Sequence, residues 1–175
     1  MSRYLVTGAT GFVGANLVRH LLAQGHDAVC VVRKPNLCVD GLPVELVTGS
    51  LTDANAMARA MEGCAGVFHV AGIFDPAPGG ETAMYALHVD EERPIDPDAI
   101  YGKKGALRAY YESKLASEHI TADAGGVVVC PDYVLGAWDV KPTSGQLLLT
   151  LAKRFVPAYP TGGKCFVDAD DCAIG

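Results

Sequence analysis

Two sets of residues in this chain have types and spacing that could do chemistry: Gly8, Gly11 and Gly14 at every third position, and Tyr110 four residues before Lys114. In a glycine run of this kind, Gly8 permits a tight turn, Gly11 lets backbone approach an anion without a Cβ in the way, and Gly14 lets a helix pack close to a strand. The N–H groups that open such a helix have no partners within it, and with the helix dipole they favour a phosphate. On a helix, positions four apart are neighbours, so the Lys114 ammonium can stabilise a tyrosinate and lower the phenol from its ordinary value of about 10. Such a tyrosine can protonate a carbonyl oxygen or take the proton of an alcohol while a nicotinamide carries hydride. Both sets also have plainer readings, a ligand-free glycine turn and a chance tyrosine–lysine spacing.

These residues need elements to hold them. Tyr4-Leu5-Val6 reads as a buried strand, and Val13, Leu17 and Leu21, with Val18 and Leu22, recur at helical spacing from Phe12 until Gly25 stops the helix. Asp27 to Val32 and Val44 to Val47 read as strands, Asp53 to Met61 as a helix, and Gly66 to Gly72 as a fourth strand ending in small residues. Right-handed crossovers put these strands in the order 3-2-1-4, with a crevice at their carboxyl ends. Residues 73–103, punctuated by Pro76, Pro78, Gly79, Gly80, Pro94 and Pro97, read as irregular loop. Ala106 to Ile120 regains helical character, Gly126 to Cys130 reads as a buried strand, Gln146 to Arg154 as a helix, and Cys165 to Val167 as a short strand before a helix start at Asp168.

At 175 residues, half of them hydrophobic and 19% charged, the chain fits one domain over 1–175 with a sizeable core. A net charge of -6 without a basic stripe argues against nucleic acid. No apolar run approaches the roughly 20 residues of a membrane span, and the chain opens into a strand without a leader, so the cytoplasm is the expected compartment. The six cysteines form no C-x-x-C pair and are expected to be reduced, Cys30 and Cys130 as small core residues; no metal site is expected. Strand 2 ends in Val32-Arg33-Lys34 with no acid to meet a ribose 2′-hydroxyl. Arg33 suits a 2′-phosphate and hence NADP over NAD, or else it is simply a solvated charge. His69 could be a catalytic imidazole, but a histidine in an apolar strand is more often a hydrogen-bonded core residue. Tyr111 is expected to point about 100° away from Tyr110.

The run Val6-Thr7-Gly8-Ala9-Thr10-Gly11-Phe12-Val13-Gly14, with Tyr110-Tyr111-Glu112-Ser113-Lys114 behind it, resembles the extended short-chain dehydrogenase/reductase family of epimerases, dehydratases and dihydroflavonol-type reductases. Asp139 to Gly145, Val156 to Tyr159 and Phe166 to Asp171 are most similar to its hopanoid-associated sugar epimerases. The resemblance implies a doubly wound Rossmann sheet between two helix layers, α/β/α, and hydride transfer at a carbonyl or alcohol carbon with Tyr110 as acid/base and Lys114 tuning it. It implies cofactor contacts from Thr7, Gly8, Thr10, Gly11, Phe12, Val13, Gly14, Arg33, Ser50, Leu51, Val70, Ala71, Gly72, Tyr110, Lys114, Pro131 and Val134. Its partners would be a dinucleotide, a carbonyl or sugar substrate, and a second copy of the chain as a candidate.

The chain also departs from this family. Ser50 stands where an aspartate usually touches adenine, and His88 where an asparagine is usual. One helix–strand unit, carrying the serine that binds the reacting oxygen, is missing, and Ser113 is turned away from the Tyr110 face. Residues 137–175 read as a remnant of the substrate-binding region. The alternative reading is therefore a non-catalytic dinucleotide-binding module, or an inactive or self-associating fragment of such an enzyme.

Overall fold

Near-continuous apolar runs within Arg3–Thr7 and Asp27–Val32, buried on both faces, build the central strands of the sheet. In the computed structural model, which describes residues 1–72, 106–131, 133–155 and 165–174, these segments are strands β1 and β2. With β3 (Glu45–Thr48) and β4 (Gly66–His69) they form a parallel sheet in the order β3-β2-β1-β4. Val6 lies in register with Cys30 on one side and Phe68 on the other. The order is the one expected from right-handed crossovers.

Each strand sends side chains to both faces, and each face has its own core. Val6, Ala28, Cys30 and Val32 pack with Leu17, Val18 and Leu21 of helix α1 (Phe12–Ala23). Leu5, Val29 and Val31 pack on the opposite face with Ala60 and Met57 of α2 (Ala54–Met61). Helices on both faces make the sheet doubly wound, a Rossmann-like arrangement. Gly25, at a φ of +76°, follows the end of α1 and donates its N–H to Leu22, as its role as a stop signal requires.

By its internal contacts the chain divides into two compact units, one of residues 1–71 with 130–175, the other of residues 72–129. The first also holds a two-stranded parallel ribbon of β5 (Tyr133–Leu135) and β6 (Phe166–Asp168), helix α4 (Gly145–Lys153) and helix α5 (Ala169–Ile174). Helix α5 packs on α1 and adds Ala173 to the first core. The second unit contains α3 (Ala106–Asp123), which runs three residues beyond the expected Ile120.

Two expectations are corrected here. Gly126 to Cys130 is not a buried strand: it has no regular secondary structure, Val127 and Val129 are 88% and 67% exposed, and Cys130 is exposed rather than a core residue. β-Branched composition favours a strand only where a sheet edge receives it, and this run pairs with none among the described residues. The parallel partner of β6 is instead Tyr133–Leu135, a segment not expected to be a strand. Cys30 is buried as expected, and burial pushes its thiol up to about 11. Residues 73–103 and Val156 to Tyr159 lie outside the described residues.

Candidate functional site

At the carboxyl end of β1 the turn packs closely against the start of α1 and against Val70 and Ala71. Gly8 sits at a φ of +74°, a conformation that disfavours any side chain, and its carbonyl accepts the Gly11 N–H at 2.9 Å. A Cβ on Gly14 would stand 2.2 Å from the Gly8 carbonyl oxygen, and one on Gly8 would stand 2.6 Å from the Ala71 nitrogen. Gly8 and Gly14 therefore serve the turn and the helix–strand approach expected of them. Gly11 differs: an added Cβ would meet only the Gly8 oxygen, at 3.3 Å, so this side of the turn faces open space.

Gly11 is also the N-cap of α1, and no side chain caps that helix. Its first-turn N–H groups, at Phe12 and Val13, are thus left to an outside acceptor. The two ends of the sheet crevice are tied together by Thr7, whose buried hydroxyl lies 3.0 Å from His69 Nδ1 and accepts the Ala71 N–H at 3.3 Å. Thr7, Gly8, Val70 and Ala71 are thereby brought into one cluster. His69 itself is exposed, which corrects its expected place as a core histidine; it ends the strand β4, whose Val67 and Phe68 are also exposed.

The loop after β2 reaches the same turn through a residue with no signal beyond its place in a Pro35-Asn36 turn. Asn36 donates from Nδ2 to the Thr10 carbonyl and accepts the Cys38 N–H at its Oδ1. Arg33 stands exposed at the end of β2. Ser50 is exposed and bonded to Thr52, while Leu51 beside it is half-buried. On the other side of α1, Asn16 donates to the Ala137 carbonyl, and the Arg19 guanidinium lies 3.5 Å from the centre of the Trp138 ring. Neither link is legible from spacing, because the partners are more than a hundred residues apart. Val134 is buried in β5, and Pro131 and Gly72 are exposed.

In the second unit, α3 places Tyr110 and Lys114 on one face, with the Lys114 ammonium 5.9 Å from the centre of the Tyr110 ring. The expected fall in the Tyr110 phenol is corrected: burial pushes it up from 10, and Tyr111 adds to the rise. Burial also pushes the Lys114 ammonium down from 10.5. The Tyr110 and Tyr111 rings, successive on the helix, meet edge to face at 5.7 Å. Ser113 is fully buried and donates its hydroxyl proton to the Tyr110 carbonyl at 2.7 Å, in keeping with its expected turn away from the phenol face. Among the described residues no group of three or more metal-ligating side chains occurs, and no helix is long and apolar enough to cross a membrane.

Comparison with known proteins gives this geometry its relatives. A "Putative dihydroflavonol 4-reductase" of Synechocystis is 34% identical over 98% of the chain, and a "Sterol demethylase protein B" of Methylococcus capsulatus is 28% identical over 95%. The chain spans 61% and 62% of their lengths. The first match runs over 211 positions against a chain of 175 residues, so at least 36 positions of that relative have no counterpart here. The crystal structure of gox2253 superposes with a TM-score of 0.75 at 25% identity, covering 99% of this chain and 64% of that one. The profile of the NAD dependent epimerase/dehydratase family matches residues 4–92, and the chain belongs to that family.

Proposed function

We propose that the first unit holds the pyrophosphate of a nicotinamide dinucleotide at the β1–α1 turn, as part of an NAD(P)-linked reductase or nucleotide-sugar epimerase acting at a carbonyl or alcohol carbon. The observation that carries this reading is the cradle itself. Two glycines are excluded from carrying side chains by backbone contacts of 2.2 and 2.6 Å, and the third leaves an uncapped helix end facing open space. A backbone-lined concavity of that kind fits a phosphate.

When bound, the dinucleotide supplies or accepts the hydride. The chain's own residues do the rest. The N–H groups of Phe12 and Val13 donate to phosphate oxygens, with Thr7, Thr10, Gly8, Gly11 and Gly14 shaping the turn around them. Arg33 presents a guanidinium to a 2′-phosphate, which favours NADP over NAD. Ser50 and Leu51 border the adenine, and Val70, Ala71, Gly72, Pro131 and Val134 border the rest of the cofactor. Tyr110, whose raised phenol keeps it protonated, is suited to give a proton to a carbonyl oxygen in the reductive direction. To act as a base it needs positive charge close to its oxygen, the role assigned to Lys114. The substrate is a small carbonyl compound or sugar, a second copy of the chain is a candidate partner, and the cytoplasm is the proposed compartment.

A second reading, dinucleotide binding without turnover, is favoured by the 36 or more positions that lack a counterpart. Titration of the purified chain with NADPH and NADH, followed by cofactor fluorescence and repeated on Arg33→Ala, tests both. Binding that favours NADPH and falls about tenfold or more with the substitution supports the reading. No binding of either dinucleotide sinks it. Hydride transfer that vanishes in Tyr110→Phe supports the enzyme, and binding without transfer supports the second reading.

A further inference from the structure

Thr7 closes β1 directly before the Gly8 turn, and its side chain is fully buried. Its hydroxyl meets the Ala71 N–H, which can only donate, at 3.3 Å and His69 Nδ1 at 3.0 Å. A hydroxyl carries one proton and two lone pairs. With Ala71 donating into one lone pair, the Thr7 proton requires an acceptor, and Nδ1 of a neutral imidazole is one. Were Nδ1 the protonated nitrogen, the Thr7 oxygen would accept twice and its own proton would be buried without a partner, which is the costly arrangement.

We infer that His69 is a positioning residue for the glycine turn: in its Nε2–H tautomer it accepts the Thr7 proton, aims the Thr7 lone pair at the Ala71 N–H, and so holds the end of β4 against Gly8. The neighbouring backbone leaves no slack for an error. A Cβ on Gly8 would stand 2.6 Å from the Ala71 nitrogen and 2.9 Å from the Val70 carbonyl carbon, so a slip of the Val70–Ala71 peptide displaces the turn itself. Exposure of His69 removes core filling as the reason for a histidine at this place. The effect on cofactor affinity rests on the dinucleotide reading above; the tautomer and the hold on Ala71 do not.

Nitrogen NMR on the whole chain, labelled at histidine, tests the tautomer, and amide exchange at Ala71 tests the hold. His69 is expected in the Nε2–H form, with that bias lost in the isosteric Thr7→Val. In His69→Leu, exchange at Ala71 is expected to quicken about tenfold and NADPH affinity to fall by a similar factor. His69→Asn, whose side-chain oxygen can stand near the place of Nδ1, restores both, and His69→Leu adds nothing in the Thr7→Val background. An Nδ1–H tautomer in the unsubstituted chain overturns the inference whether or not the variants fold. Unchanged Ala71 exchange in a folded His69→Leu overturns it as well. Should Ala71 respond while no dinucleotide binds, the dinucleotide reading fails and the positioning role stands.

Discussion

The β1–α1 and β3–α2 junctions are both strand–loop–helix passages in one sheet, yet they finish their helices in opposite ways. At α2 the Asp53 carboxylate accepts the N–H groups of Asn55 and Ala56 at 3.1 and 3.0 Å, closing the helix with the chain's own charge. At α1 the N-cap is Gly11 and no described side chain caps it. An aspartate N-cap is worth about 1 kcal/mol over alanine, so α1 forgoes a stabilisation that α2 has, and its open end suits the external anion proposed for it. A capped helix end is a structural joint, and the uncapped one beside the glycine turn is the end that the proposed dinucleotide would use.

The largest expected effect comes from closing the cradle. Gly14→Val drives a side chain into the Gly8 carbonyl and is expected to cost about 3 kcal/mol or more in denaturant unfolding, with loss of dinucleotide binding. Making α1 resemble α2 is the sharper test. Gly11→Asp supplies the missing cap at an ordinary φ of -98°, so stability should hold or rise by a few tenths of a kcal/mol, roughly, while a carboxylate in the phosphate's place weakens binding on the order of a hundredfold. Parallel melting and titration separate the two, and unchanged affinity would end the contrast between the helix ends. Asp53→Ala should do the reverse, losing about 1 kcal/mol of stability with affinity nearly unchanged.

The smallest effect concerns α3. Because folding depresses the Lys114 ammonium, its contribution is present above 10.5 and lost as pH falls through the folded value, so at neutral pH the buried charge is a burden. Tyr110 is raised, so its contribution is present below 10 and lost as pH climbs through the folded value. Lys114→Met should therefore melt higher than the unsubstituted chain at pH 7, with the gap narrowing towards roughly pH 10.5. A gap that does not change with pH would contradict the burial of that charge.

Legibility in the sequence followed the range of the contacts involved. The glycine turn could be read because each of its demands acts on neighbours: Gly8 on the next backbone angle, Gly14 on a carbonyl six residues back. The strand order could be read because crossover handedness leaves few choices once four strands and two helices are recognised. The pairing of Tyr110 with Lys114 on one helix face could be read for the same local reason.

What the amino-acid sequence determined by itself is thus the phosphate-type turn, the doubly wound sheet around β1 and β2, and the tyrosine–lysine pair, all set by spacing and composition over a few residues. Only the tertiary structure decided that Val127 to Val129 joins no described sheet, since a strand exists through a partner that propensity does not name. It likewise decided the direction of the Tyr110 and Lys114 shifts, which depend on burial that i,i+4 spacing does not report. And it joined Thr7 to His69, sixty-two residues apart, because adjacent parallel strands bring their ends together across any length of chain.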